Sequence, residues 1–370
     1  MSSLLTSASG TVIAERLLAW YDRNRRILPW RARPGEQLNP YRVWLSEIML
    51  QQTNVTTVKP YFHTFIAHWP TITDLAKADL NDILTAWAGL GYYARARNLH
   101  ACAQSVVTTH RGIFPADPKI LQQLPGIGAY TAAAIAAIAF GRREIAIESN
   151  IKRLVVRLFA ITELPAVARI HIHTMADALT PDCRCGDFIQ AAMDLGAMLC
   201  TPRRPTCMLC PLRADCMAFQ QGIADSLPAR TDRRERPRIR HGIAFLIACK
   251  EGAVLLYRRP PKGLLGGMME VPSTPWRIEP WSLEDAAHIA PLSLSWRLLP
   301  GTVHHIFTHF QLNLRVAYGQ TSRHLVTNGL WVALEQLDAQ PLPSIMRKVL
   351  IHALRSDVTT SCNNNRQTIT

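Results

Sequence analysis

Four cysteines separated by six, two and five residues, Cys200, Cys207, Cys210 and Cys216, restrict what this chain can fold into more than any other feature. Soft thiolates at that density can close around one metal centre. Zinc accepts such a set and so does a cubane iron-sulfur cluster, and the spacing alone does not choose between them. The chain has nine cysteines in all, an odd number that suits thiols and metal ligands in a reducing compartment better than a disulfide framework. The first twenty residues carry no basic leader or long apolar stretch. The longest apolar run, Ala132 to Phe140, is half the roughly 18 residues a membrane helix needs, so no membrane partner is expected. Lys and Arg number 41 against 27 Asp and Glu, a net charge of +14. That balance favours a polyanionic partner such as nucleic acid, with a plain basic enzyme as the alternative. Arg203, Arg204 and Arg213 lie inside the cysteine segment and suit a scaffold that faces DNA better than one that transfers electrons.

With 370 residues, 48% of them hydrophobic, the chain can build two cored domains. From Thr11 to about Gln220 apolar residues recur at helical spacing, as in Tyr41, Trp44, Leu45, Ile48 and Met49, and prolines punctuate short helices. This predicts a mainly helical domain over 11–221. The stretch 222–240 holds Arg230, Arg233, Arg234, Arg236, Arg238 and Arg240 and reads as a basic linker, either a solvated spacer or an arm that meets phosphates. Ile243 to Cys249 and Ala253 to Arg258 read as a hairpin around Lys250, Glu251 and Gly252. Phe310, Leu312, Leu314 and Val316 alternate with polar residues as in a half-buried strand, and Ser344 to Arg355 has helical spacing. A mixed α and β domain over 241–358 is therefore expected, then a disordered tail over 359–370 with three consecutive Asn. No internal repeat is present.

Leu124-Pro125-Gly126-Ile127-Gly128 separates a short helical segment from the Ala-rich one that begins near Tyr130. Two glycines permit a tight turn and close approach of backbone to a ligand, and the following helix N-terminus offers free N–H groups to an anion such as phosphate. A bare Gly-x-Gly also fits an ordinary helix-to-helix turn; its pairing with the cysteine quartet sharpens it.

That pairing, together with Trp44-Leu45-Ser46-Glu47-Ile48-Met49-Leu50-Gln51-Gln52-Thr53, closely resembles the helix-hairpin-helix DNA glycosylases. Gly89-Leu90-Gly91-Tyr92-Tyr93-Ala94-Arg95-Ala96-Arg97-Asn98-Leu99 resembles their adenine-specific branch, the MutY family. The resemblance is dense from Ala14 to Ala218 and looser beyond. It implies a helical glycosylase domain, a [4Fe-4S] cluster on the quartet, and a Nudix-like C-terminal domain. It also implies a monomer acting on double-stranded DNA, at adenine opposite 8-oxoguanine or guanine, in the cytoplasm with the chromosome.

Breaking an N-glycosidic bond takes an acid for the departing base and a negative charge near the cationic sugar. Glu47 lies off the apolar stripe of its helix; a solvated glutamate is the plainer reading, and the resemblance makes it the proton donor, which requires a raised pKa. The second carboxylate should precede the helix expected from Ile151 to Ala160. The family has Asp-Gly-Asn there and this chain has Glu148-Ser149-Asn150. A carboxylate before a helix N-terminus is suited to an oxocarbenium-like sugar. The added methylene shifts its charge, and a misplacement of about 1 Å can cost about a hundredfold in rate. An Asp at 148 is therefore expected to be faster, and a lesion-binding protein with lost turnover is the non-enzymatic alternative.

Tyr130 stands where endonuclease III-like pyrimidine glycosylases with lyase activity carry a lysine. A phenol cannot form a Schiff base, which points to a monofunctional enzyme in which Tyr130 orders the second carboxylate. By resemblance Gln52 and Tyr92 wedge into the duplex, and Thr53 and Leu90 lie beside 8-oxoguanine. Arg26, Trp30 and Gln190 line the adenine pocket, and Gly126, Gly128 and Asn150 contact the DNA or substrate. Gly263-Leu264-Leu265-Gly266-Gly267 and Phe307-Thr308-His309 resemble loops of the reader of the oxidised base, with Thr308 where Ser is usual. The clustered glutamates of a Nudix hydrolase are missing after Gly267, so pyrophosphate hydrolysis is not expected.

Overall fold

The computed structural model describes residues 7–33, 36, 38–164, 166–229, 238–322 and 328–355. Residues 230–237 of the arginine-rich linker and the whole tail from 359 lie outside the described residues, while Arg238 and Arg240, expected in the linker, belong to the first strand of the second unit. The chain divides into two units, one of Met1–Lys77 with Asn98–Arg233 and one of Ala78–Arg97 with Arg234–Thr370.

The first unit is helical. It holds α1 (Ser7–Asn24), α2 (Pro40–Leu50), α3 (Val55–His68) and α4 (Ile72–Lys77). The second unit then takes α5 (Leu80–Trp87) and the start of α6 (Ala94–His110). The helical unit resumes with α7 (Pro118–Leu121), α8 (Ala129–Phe140), α9 (Ser149–Leu158), α10 (Arg169–Leu179), α11 (Cys185–Met198) and α12 (Met217–Gln220). Local chemistry sets the starts that matter. Pro40 occupies the first turn of α2 and the Asn39 side chain accepts from the Tyr41 and Arg42 amides, removing two of the orphan donors of a helix start. Asn54 caps α3 in the same way through the Thr57 amide. Helix α8 is buried from Thr131 to Ile138, and its run of alanines lets neighbouring helices approach on every side. On α3, Phe62 and Phe65 are fully buried, worth about 1.5–3 kcal/mol each relative to exposure.

The second unit carries a seven-stranded mixed sheet among the described residues. Its strands are β1 (Arg238–Cys249), β2 (Ala253–Arg258), β3 (Met269–Glu270), β4 (Arg297–Leu298), β5 (Val303–Ile306), β6 (Phe310–Thr321) and β7 (Leu330–Ala333), with α13 (Leu283–Ala287) and α14 (Ser344–Arg355). The expected hairpin is β1 with β2, antiparallel through Ala248 and Val254. The alternating run is β6, which pairs parallel with β1 from Phe310 opposite Arg238 to Thr321 opposite Cys249. Phe307, Thr308 and His309 form the turn between antiparallel β5 and β6, closed by the Phe307 amide on the Phe310 carbonyl at 2.9 Å.

The placement of Ala78–Arg97 is not anticipated by a division of the chain at residue 221. Arg258 donates to the Asn81 side chain at 2.8 Å, Thr85 to the Ala339 carbonyl at 3.3 Å, and Arg97 to the Gly266 carbonyl. Polar contacts between segments so far apart in sequence leave no periodic trace in it.

Candidate active site

Helix α2 delivers Glu47 to a cavity of about 410 Å³ lined by Arg26, Leu28, Trp30, Arg31, Ser46, Glu47, Gln190 and Met193 among others. Glu47 is 8% exposed, so the solvated reading of this residue is excluded. Burial is the largest influence on it and pushes its carboxyl up to about 7, with Glu148 adding to the rise while Tyr130 and Arg31 oppose it. The Tyr130 hydroxyl, two residues into the helix that follows the hairpin, donates to Glu47 Oε2 at 3.2 Å. Tyr130 was expected to order Glu148; among the described residues its hydroxyl bond goes to Glu47 instead, because α8 runs alongside α2.

Glu148 has different surroundings. It is the N-cap of α9, which starts at Ser149, two residues before the expected helix. Its Oε1 accepts the amides of Asn150 at 2.7 Å and Ile151 at 3.0 Å. Its Oε2 accepts the Ser149 hydroxyl at 2.8 Å and the Asn150 amide side chain at 3.1 Å. Four donors converge on one carboxylate, which the extra methylene lets curl back over its own helix. Asn150 is fixed in turn by Arg153, whose Nη2 donates to Asn150 Oδ1 and to the Gly196 carbonyl, both at 2.7 Å. Gly196 must be glycine, since a Cβ there would sit 2.5 Å from that of Asn150.

The remaining expected residues sort between the two units. Arg26, Trp30 and Gln190 line the Glu47 cavity. Gln52, with φ of +58°, and Thr53 form the turn after α2, and Gln52 is exposed. Gly126 takes φ of +78°, and a Cβ there would meet Asn98 at 2.8 Å; Gly128 caps α8 without a side-chain bond, leaving the first amides of that helix free for an anion. In the second unit Leu90 is buried, whereas Tyr92, at φ of +48°, is 43% exposed. The Tyr92 hydroxyl shares a hydrogen bond of 2.7 Å with that of Thr308. Thr308 and His309 are exposed, and Phe307 stacks on Phe310 at 4.7 Å and Trp276 at 5.8 Å. The turn that holds Tyr92 is held by Arg95, which donates to the Leu90 and Gly91 carbonyls and lies over the Trp87 and Tyr92 rings. Glu270 is engaged by Arg259 in an ion pair.

All four cysteines of the quartet line a second cavity, of about 400 Å³, together with Arg157. Burial raises the thiols of Cys207, Cys210 and Cys216, so holding them as thiolates takes compensating positive charge. Arg157 supplies some: it is 1% exposed, its Nη1 lies 3.3 Å from Cys200 Sγ, and its buried Nη2 has no hydrogen-bond partner among the described residues. Among the described residues no group of three or more His, Cys, Asp or Glu is gathered around a single point that could hold a metal ion. Arg31, Asp194, Arg153, Arg157 and Trp276 were not picked out from the sequence; the available signal was the charge at Arg153, Arg157 and Asp194 inside otherwise apolar helical runs.

Comparison with known proteins places these features together. Residues 45–175 match the HhH-GPD superfamily base excision DNA repair protein model and residues 243–352 the NUDIX domain model. The chain is 36% identical to the adenine DNA glycosylase of Rattus norvegicus, over 92% of this chain and 78% of that protein. It is 35% identical to that of Homo sapiens, over 92% and 74%. Among solved structures, a thermostable thymine-DNA glycosylase aligns over 57% of this chain and 97% of its own, at 27% identity and a TM-score of 0.51.

Proposed function

This chain belongs to the adenine DNA glycosylase family of base excision repair, and from that premise we propose that it removes adenine opposite 8-oxoguanine or guanine in duplex DNA by hydrolysis alone. The observation that carries the mechanism is the contrast between Glu47, buried and pushed up to about 7, and Glu148, surrounded by four donors. Extruded from the stack, the adenine enters the cavity beside Trp30 and Gln190. Protonated Glu47 donates to a ring nitrogen as the glycosidic bond breaks, so the base leaves neutral. The Glu148 anion faces the cationic sugar, and water completes the hydrolysis. Tyr130 keeps Glu47 in place and, as a phenol, offers no amine for a Schiff base.

The quartet fits a [4Fe-4S] cluster held by Cys200, Cys207, Cys210 and Cys216. Ligands that are thiolates only, in a chain of this family, support that choice over zinc. When bound, the cluster would supply a cross-link among four thiolates that closes the segment between α11 and α12 on itself. Arg157 and Arg153 hold the same loop from the protein side through the Thr201 and Cys200 carbonyls. Recognition of 8-oxoguanine is assigned to Leu90, Tyr92, Phe307, Thr308 and His309, supported by the Tyr92 to Thr308 bond and the aromatic bed beneath the turn. Duplex DNA is the partner and the protein works with the chromosome, as a monomer.

Single-turnover excision on duplexes with adenine opposite 8-oxoguanine, guanine or thymine tests the reading, with borohydride present in a parallel reaction. Excision at the first two without a trapped adduct is expected. Binding with no excision would instead favour a lesion-binding protein, and a trapped adduct a lyase.

A further inference from the structure

Behind the Glu47 cavity lies a carboxylate that the mechanism does not use. Asp194 on α11 is fully buried, one turn after Gln190, and receives four hydrogen bonds from one short segment. Its Oδ2 accepts the Arg26 backbone amide at 3.0 Å and Arg31 Nη1 at 2.7 Å. Its Oδ1 accepts Arg26 Nε at 2.6 Å and Arg31 Nη2 at 2.9 Å. The segment closes on itself through Arg31 Nη1 and the Arg26 carbonyl, at 3.3 Å. Both arginines and the intervening Trp30 line the cavity, whereas Asp194 does not. Resting on the adenine-excision reading above, we propose that Asp194 is the positioning residue of the base pocket: its carboxylate fastens the Arg26 to Arg31 segment and balances the arginine charge beside Glu47.

The physical case has two parts. A carboxylate in a dry site needs cations and donors on every lone pair. Burial opposes the Asp194 charge, but the Arg31 and Arg26 contacts prevail and hold its carboxyl below the usual range. The segment is therefore tied to α11 at four points and the pocket wall is formed before a base arrives. Balance is the second part. The groups acting on Glu47 are Tyr130 from α8, Glu148 from the start of α9 and Arg31, and of these Arg31 and Tyr130 favour its anion. With Asp194 bidentate on Arg31, the net charge of that couple is zero. Without Asp194, the Arg31 charge would act on Glu47 uncompensated and favour its anion, leaving less of it in the acid form.

A titration of Glu47 that needs no turnover decides this. The infrared carboxyl band of Glu47, assigned by its loss in Glu47→Gln, is followed against pH in the wild type, Asp194→Asn, Arg31→Gln and the double variant. The midpoint near 7 should fall in Asp194→Asn, rise in Arg31→Gln, and return to or above the wild-type value in the double variant. A pocket merely loosened and hydrated would stay low in the double variant, which overturns the proposal, as do midpoints that do not move. Should Asp194→Asn fail to fold, Arg31→Gln and the double variant still decide. Parallel single-turnover assays should show Asp194→Asn slowed about tenfold or more through the excision step rather than duplex binding. A wild type that excises nothing would remove the adenine-excision reading and leave the titration to judge Asp194 separately.

Discussion

Glu47 and Glu148 are the same amino acid in opposite surroundings. One is buried in the wall of a cavity with a single phenol donating to it; the other caps a helix and collects four donors. Desolvation holds the first as an acid, and amides at a helix start with two side-chain donors suit the second to an anion. Separation of roles thus comes from where α2 and α9 place their carboxyls, not from residue type.

The largest effects should come from erasing either member of the contrast. Glu47→Gln removes the proton donor and should cost about 10²–10⁴-fold in excision while duplex binding persists. Glu148→Gln keeps the shape and removes the charge, and a loss of about 10²–10³ is expected. Since the Glu148 charge helps to raise Glu47, residual activity in that variant should also fail at a lower pH than in the wild type. Equal pH profiles would break the coupling between the two sites.

A smaller effect tests whether the cap is built for glutamate. The sequence expectation was that Asp at 148 would be faster. The four donors on the longer side chain favour the opposite outcome: Glu148→Asp should slow excision by about tenfold as the charge retreats. Ser149→Ala, which removes one donor, should slow it only a few-fold. Faster excision by Glu148→Asp would show that the cap pulls the charge away from the sugar.

Stability provides a comparison free of catalysis. Glu47 has its folded pKa raised from 4.5 to about 7, so the native state holds a proton that the unfolded chain has released between those values. The stability contributed by this group is complete below 4.5 and is lost as pH rises through about 7. Denaturant midpoints for wild type and Glu47→Gln should therefore converge at low pH and separate towards neutrality, with the wild type falling relative to the variant.

The smallest effect belongs to the second unit. Thr308→Val removes the hydroxyl bonded to Tyr92 and should lower the preference for 8-oxoguanine over guanine by a few-fold, leaving the excision step intact. An unchanged ratio would make the turn purely structural. Truncation after Arg230 is a poorer probe than the sequence suggested, since it strips Ala78–Arg97 of the unit it packs in.

How far the sequence was legible depended on whether the signal was local. Helical spacing from Thr11 to Gln220, the hairpin around Gly252 and the alternation from Phe310 are local, and each corresponds to observed elements. Residues carried by a contiguous motif, such as Glu47 and the cysteine quartet, could be singled out because the motif names them. The partner of Tyr130 could not, because it depends on which helix α8 lies against. Asp194 with Arg26 and Arg31 likewise joins residues more than 160 positions apart, and so does α5 on the β-sheet unit. Burial of Glu47 was required by the chemistry but invisible in the sequence, since its neighbours on α2 are buried on both sides of the apolar stripe.

The most direct test of the two-carboxylate account is the pH dependence of single-turnover excision from a duplex with adenine opposite 8-oxoguanine. With Glu47 as the acid, the wild-type rate should be highest below about 7 and decline above it, and Glu148→Gln should decline from a lower pH. A wild-type rate that rises through neutrality would mean that excision needs the Glu47 anion, and the assignment of acid and counter-charge would be wrong.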